Sequence, residues 1–214
     1  TSMRAAIHTQ FGDPAKVLEL GERPTPQPGK GQVRVAMRRA PIHNHDLWTV
    51  RGNYGYKPEL PAIGGSEAAG VIDALGEGVE GLQVGQRVVA AGVHEAWAEY
   101  FLADASGVVP LPDGLDDERG CQLIAMPLSA LMLIEFLQVK QGDWIVQNTA
   151  NGAVGKTVAM LAAARGINVI NLVRRDAGVD ELKALGIGNA ISTAQAGWQD
   201  KVRALAGDAP IVRA

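Results

Sequence analysis

The spacing of apolar and polar positions changes partway along the chain. Residues 3 to about 112 carry short β-type runs at 33–37, 69–74, 87–90 and 98–102. Between them lie turn formers at 24–29, 52–53, 76–81 and 110–114, rich in Gly and Pro. Short strands with frequent breakers predict an all-β, barrel-like unit. Gly64, Gly65 and Gly70 read either as turn formers or as points of close backbone approach.

A helical stretch follows. Asp116-Asp117-Glu118 places acids where a helix N-terminus favours them. Residues 121–136 then carry a long apolar pattern, with Pro127 a kink or a boundary. From residue 143 the texture alternates. Strands are predicted at 143–147, 167–173 and 189–191, and helices at 156–165, 179–185 and 195–205, the last bearing Trp198. Strand–helix repeated with short loops is the mononucleotide-binding half of a doubly wound sheet. Residues 209–214 read as the opening of a fourth parallel strand. Such a sheet normally needs a second half, so the chain reads as part of a longer polypeptide. Thr1 and Ser2 before Met3 read as a remnant of cloning. The predicted division is 3–120 for the β domain, 121–142 for a connecting helical segment and 143–214 for the first half of the nucleotide-binding domain.

Composition narrows the picture. An apolar share of 47% is enough for a core, and a net charge of -3 with scattered Lys and Arg argues against nucleic acid or an anionic membrane as partner. The single Cys121 excludes an internal disulfide and any Cys-rich zinc site, and among apolar neighbours it reads as an inert core thiol. Apolar stretches are too short to span a bilayer. No export signal opens the chain. The expectation is a cytoplasmic protein.

Chemistry enters at Gln147-Asn148-Thr149-Ala150-Asn151-Gly152-Ala153-Val154-Gly155. This segment follows a strand and opens a helix, as a pyrophosphate loop requires. Asn151, Gly152, Ala153, Val154 and Gly155 are the candidate contacts. The full G-x-G-x-x-G pattern is absent, and a tight strand–helix crossover is the plain alternative. The second strand ends in Arg174-Arg175, with no acid at its tip to hold a ribose 2′-hydroxyl. Two guanidiniums suit a 2′-phosphate, which predicts NADPH. Lys156, in the helix after the loop, reads as a surface residue or as a helper to phosphate.

The stretches 42–46, 61–72, 78–89 and 147–155 resemble the medium-chain dehydrogenase/reductase superfamily. The resemblance implies an α/β fold: a GroES-like β-barrel domain followed by a Rossmann doubly wound parallel sheet, here its first half. It also implies an active site in the cleft between the domains and pairing into a homodimer through edge strands of the full-length protein. At the catalytic-zinc positions of the family's alcohol dehydrogenases this chain reads His43 for the cysteine and Ser66 for the histidine, while Glu67 remains. His43, His45, Asp46 and Glu67 form a conceivable but poor zinc set. The expectation is no metal, and reduction of an activated double bond or a quinone rather than alcohol chemistry.

Two zinc-free branches compete. Arg51-Gly52-Asn53-Tyr54-Gly55 resembles the 2-enoyl thioester reductases, and the resemblance implies Tyr54 as their catalytic tyrosine. It also implies Ser129 near the nicotinamide, with Asn44 a further cofactor candidate or a residue that fixes its loop. Ala96-Trp97-Ala98-Glu99-Tyr100 is closer to the quinone reductases. Trp48 and Trp97 are either pocket walls or core. The leading expectation is an NADPH-dependent enoyl thioester reductase, with Tyr54 helping to stabilise and protonate an enolate. A zinc-independent NADPH:quinone or enone reductase stays open, as does a non-catalytic cofactor-binding relative or an inactive fragment.

Overall fold

The computed structural model describes residues 1–214, which divide into two compact units, Thr1–Ala125 and Met126–Ala214. The first contains β1 (Ser2–His8), α1 (Pro14–Val17), β2 (Glu19–Pro24), β3 (Gln32–Arg39), α2 (Asn44–Arg51), β4 (Ala62–Ile63), β5 (Glu67–Leu75), β6 (Arg87–Ala91), β7 (Tyr100–Asp104), β8 (Val108–Pro110) and α3 (Asp117–Gly120). Its strands form a three-stranded sheet ordered β2-β1-β4 and a five-stranded sheet ordered β7-β3-β5-β6-β8, antiparallel throughout. Backbone bonds from Ala6 to Trp97 (2.9 Å) and from Glu99 to Arg4 (3.0 Å) stitch β1 to the segment before β7. The sheets therefore curl into one barrel-like unit around Val33, Val35, Ile72, Val88 and Phe101.

The glycine alternatives resolve by position. A Cβ on Gly70 would lie 2.2 Å from the Ala36 carbonyl oxygen of the neighbouring strand, so Gly70 is a close approach. Gly65 is both, with φ +95 and the Trp97 ring against it.

Asp116 caps α3 as the acid run predicts, its Oδ1 accepting from the Arg119 N–H at 2.8 Å. Helix does not continue through 121–124, as the apolar pattern predicts; α4 (Ala125–Leu137) begins at Ala125. Pro127 sits in its first turn, where the missing N–H has no intrahelical partner to lose. Cys121 is buried against Ala69, Val89 and Leu111, and burial pushes its thiol pKa up, as suits an inert core thiol.

Asp117 accepts from Arg87 Nη2 at 2.8 Å and lies 3.6 Å from Arg38. The Arg87 hydrogen bond holds its carboxyl below the usual range. A carboxylate so depressed on folding adds stability above its unfolded pKa of about 3.9, and loses it as pH falls through the lower folded value. Asp117→Asn is expected to flatten the acid limb of stability below about pH 4, read as the urea midpoint against pH.

The second unit continues with β9 (Trp144–Gln147), α5 (Ala153–Ala164), β10 (Asn168–Val173), α6 (Asp176–Ala184), β11 (Ala190–Ser192), α7 (Trp198–Ala206) and β12 (Ile211–Arg213). The sheet is parallel, ordered β11-β10-β9-β12. Ile145 and Val169 pack with Ile134 and Val158 of α4 and α5, while Ile170 and Ile191 pack with Val202 of α7. Helices on both faces explain why these strands read as unbroken apolar runs. The helix predicted from Lys156 starts three residues earlier, because the small residues that read as a turn form its first turn.

Candidate functional site

In the first unit the site is built around α2. His43 is extended (φ -82, ψ 153), and its N–H donates to Asp46 Oδ2 at 3.0 Å, satisfying a donor at the helix start. The helix stops at Gly52, which is left-handed at φ 77. Asp46 is buried, and its Oδ1 accepts from Ser66 Oγ at 2.6 Å. A serine hydroxyl has one proton, and here it points to a carboxylate. His45 Nε2, 2.9 Å from the same oxygen, is therefore the donor and carries a hydrogen.

A second chain runs alongside. His43 Nε2 lies 2.7 Å from Oε2 of Glu67, which is 1% exposed. The other oxygen, Oε1, accepts from the N–H groups of Ile124 (3.0 Å) and Ala125 (3.2 Å). The four residues weighed as zinc ligands thus take part in two hydrogen-bonded chains, joined where the His43 N–H donates to Asp46. No group of three or more of the chain's His, Cys, Asp and Glu is arranged to hold a metal ion.

The rings stack in series. His43 and His45 lie 5.0 Å apart at 24°, and His45 and Tyr54 lie 5.7 Å apart at 28°. His45, Asp46, Ser66 and Tyr54 share a cavity of about 520 Å³, whose wall also holds Tyr56 and His94, stacked at 4.4 Å. Three of the four histidines, His8, His45 and His94, line it.

Neither tryptophan expected at the pocket lines this cavity. Trp97 lies flat on Gly64-Gly65, where added Cβ atoms would come within 2.3 and 2.5 Å of it, and its Nε1 donates to the Pro41 carbonyl at 3.2 Å. Trp48 is 49% exposed. The face of α2 turned to the cavity carries His45 and Thr49, four apart, and Trp48 lies off that face. Asn44 is exposed in the first turn of α2. Sequence reasoning named Tyr54, which lines this cavity, but not the His45–Ser66–Asp46 chain, nor Tyr56 and His94; the clustering of histidines at 43–45 was the available signal.

In the second unit, β9 leads into the turn 148–152 and α5. Gly152 is the N-cap at φ -76, ψ 169, and no side chain caps the helix. The first helical bond is Lys156 N–H to the Gly152 carbonyl at 2.9 Å. Ala153, Val154 and Gly155 therefore present N–H groups without an intrahelical acceptor at the positive end of the dipole. Gly155 has no room for a side chain: its Cβ would fall 2.6 Å from the Thr149 carbonyl oxygen and 2.8 Å from Ala150 Cα. Gln147 Nε2 ties the loop down, donating to the Gly155 carbonyl (2.9 Å) and to Asn171 Oδ1 (2.8 Å).

Asn151 and Lys156 both reach Glu181 of α6, at 3.2 and 2.9 Å. The Lys156 hydrogen bond, then that of Asn151, hold the Glu181 carboxyl below its usual range. Arg174 and Arg175 are exposed at the end of β10, with Arg175 the N-cap residue of α6. Ser129 is exposed on α4. An uncapped helix start, a cradle that a Cβ would fill and two exposed guanidiniums fit a phosphate-bearing cofactor.

Comparison with known proteins agrees with both halves. Residues 29–113 match the alcohol dehydrogenase GroES-like domain. Human mitochondrial enoyl-[acyl-carrier-protein] reductase is 35% identical over 196 residues, 89% of this chain and 52% of the relative. The chain spans about half the length of the curated relatives it matches. A mycobacterial protein solved in complex with NADPH superposes with a TM-score of 0.86 at 31% identity, over 96% of this chain and 64% of that one. The quinone oxidoreductase of Coxiella burnetii superposes with a TM-score of 0.85 at 28% identity, over 99% and 67%. No helix is long and apolar enough to cross a membrane. GroES-like strands, a parallel sheet with a glycine loop after its first strand, and these likenesses together make the chain similar to the medium-chain dehydrogenases and reductases.

Proposed function

We propose that the full-length protein is an NADPH-dependent reductase of α,β-unsaturated thioesters. The observation that carries this is Tyr54, set in the wall of a 520 Å³ cavity and stacked on His45. The segment around it resembles the enoyl reductases, and the curated relatives bear that name. NADPH, when bound, supplies hydride to the β-carbon. The N–H groups of Ala153, Val154 and Gly155 would hold its pyrophosphate, and Arg174 and Arg175 its 2′-phosphate. Charge then develops on the thioester oxygen and a proton is needed at Cα. A phenol, with a reference pKa of about 10, is a hydrogen-bond donor at neutral pH.

A second reading, reduction of a quinone or other enone, is favoured by the rings of Tyr54, Tyr56 and His94 around the cavity and by structural neighbours named for quinones. The protein is expected to act as a homodimer, in the cytoplasm. The test is NADPH oxidation by the full-length protein with crotonyl-CoA against a quinone. Tyr54→Phe is expected to lower kcat/KM for crotonyl-CoA by about 10²-fold or more. Unchanged turnover would remove Tyr54 from the chemistry. Tight NADPH binding with no turnover on either acceptor would point to a non-catalytic relative.

A further inference from the structure

His45 is placed as if for use. Asp46 accepts a hydrogen bond from Ser66 Oγ at 2.6 Å, so Ser66 accepts from His45 Nε2–H at 2.9 Å, and the ring is fixed in plane and in tautomer. The rings of His43 and Tyr54 both stack on that of His45, at 5.0 and 5.7 Å, which restrains its tilt. Nδ1 makes no hydrogen bond within the protein, yet no buried side-chain nitrogen or oxygen is unsatisfied. Nδ1 therefore reaches solvent, and His45 lines the cavity that holds Tyr54. A histidine with one nitrogen anchored to a hydroxyl–carboxylate chain and the other open to a cavity has the construction of an acid–base group.

We propose that His45 is a second proton-transferring residue of this cavity, working at Nδ1 beside Tyr54, with Ser66 and Asp46 as its positioning residues. The inference rests on the reading that this cavity takes the acceptor. Hydride from NADPH reduces the acceptor's β-carbon. The Nδ1–H bond of the protonated ring breaks as the proton passes to the developing enolate. The product leaves with both hydrogens, NADP⁺ is left, and neutral His45 regains a proton from water. The titratable groups around His45 are Asp46, His43 with its partner Glu67, Tyr54, and the cavity-wall His8, Tyr56, Glu59, His94 and Glu95. No lysine or arginine is in that wall.

The test is the pH profile of kcat/KM for the full-length enzyme with crotonyl-CoA and with a quinone. In His45→Gln the amide occupies the place of Nε2–H and can still donate to Ser66, but nothing titrates. It is expected to lose one ionisation from the profile and about 10²-fold in rate. Tyr54→Phe is expected to keep that ionisation. An unchanged rate and profile in His45→Gln would overturn the inference. If Tyr54→Phe is silent while His45→Gln loses rate and ionisation, the role of Tyr54 fails and that of His45 stands. If neither change has an effect, both fail. Should His45→Gln not fold, Ser66→Ala removes only the orienting hydroxyl: a lower kcat with the ionisation retained supports the proposal, and an unaltered kcat overturns it.

Discussion

Glu67→Ala is expected to lower the unfolding free energy of the first unit by about 3–5 kcal/mol. The carboxyl group is 1% exposed and serves three donors at once: the His43 ring at 2.7 Å and the N–H groups of Ile124 and Ala125 at 3.0 and 3.2 Å. Truncation leaves all three facing a void, and each buried donor without an acceptor costs about 1–3 kcal/mol. Water entering the void would recover part of that. Glu67→Gln keeps an oxygen for the two backbone donors and should lose less than half as much. Urea unfolding of the two variants measures both. A Glu67→Ala protein as stable as the parent would mean that the segment 121–125 finds other acceptors, and that this carboxyl does not hold it.

Gly155→Val is expected to weaken cofactor binding about 10- to 100-fold while leaving the strands of the second unit paired. The clash is with backbone on two sides, the Thr149 carbonyl at 2.6 Å and Ala150 Cα at 2.8 Å, so no side-chain rotation relieves it. Either α5 or the turn must shift. Forced overpacking of this kind costs about 1–3 kcal/mol. If the turn gives way, the donors of Ala153, Val154 and Gly155 lose their convergence, and that free energy appears as about one to two decades in Kd for NADPH. Fluorescence titration with NADPH reads the loss, and circular dichroism reads whether the sheet persists. A variant that binds NADPH as the parent does would show that the pyrophosphate lies elsewhere.

What the chain's sequence made legible follows the range of the interactions involved. The loop 147–155 is local: strand, small residues and helix are contiguous, and the structure builds them in that order. The parallel strands were equally plain, since burial on both faces leaves unbroken apolar runs. The helix Asn44–Arg51 was not legible, because it is short, bears no apolar stripe and owes its start to the Asp46 bond with His43 N–H. The start of helix at residue 125 lies where Glu67, 57 residues away in sequence from Ile124, accepts from the backbone. The His45–Ser66 bond spans 21 residues. Tyr54 came from a resemblance, whereas its neighbours in the cavity come from contacts that no local pattern encodes. The setting of Trp97 was hidden for a related reason: two glycines in another segment make room for its ring.

The strand order of the second unit has a bearing on all of this. From β9 the chain winds outward through β10 to β11, then crosses back to lay β12 on the opposite side of β9. The direction of winding therefore reverses beside β9. In open parallel sheets the crossovers on either side of such a reversal leave on opposite faces, and a crevice opens past the carboxyl ends of the flanking strands. The turn 148–152 leaves β9 at that end. The loop proposed to hold phosphate thus sits where the topology alone would put a ligand, whichever residues happen to fill it.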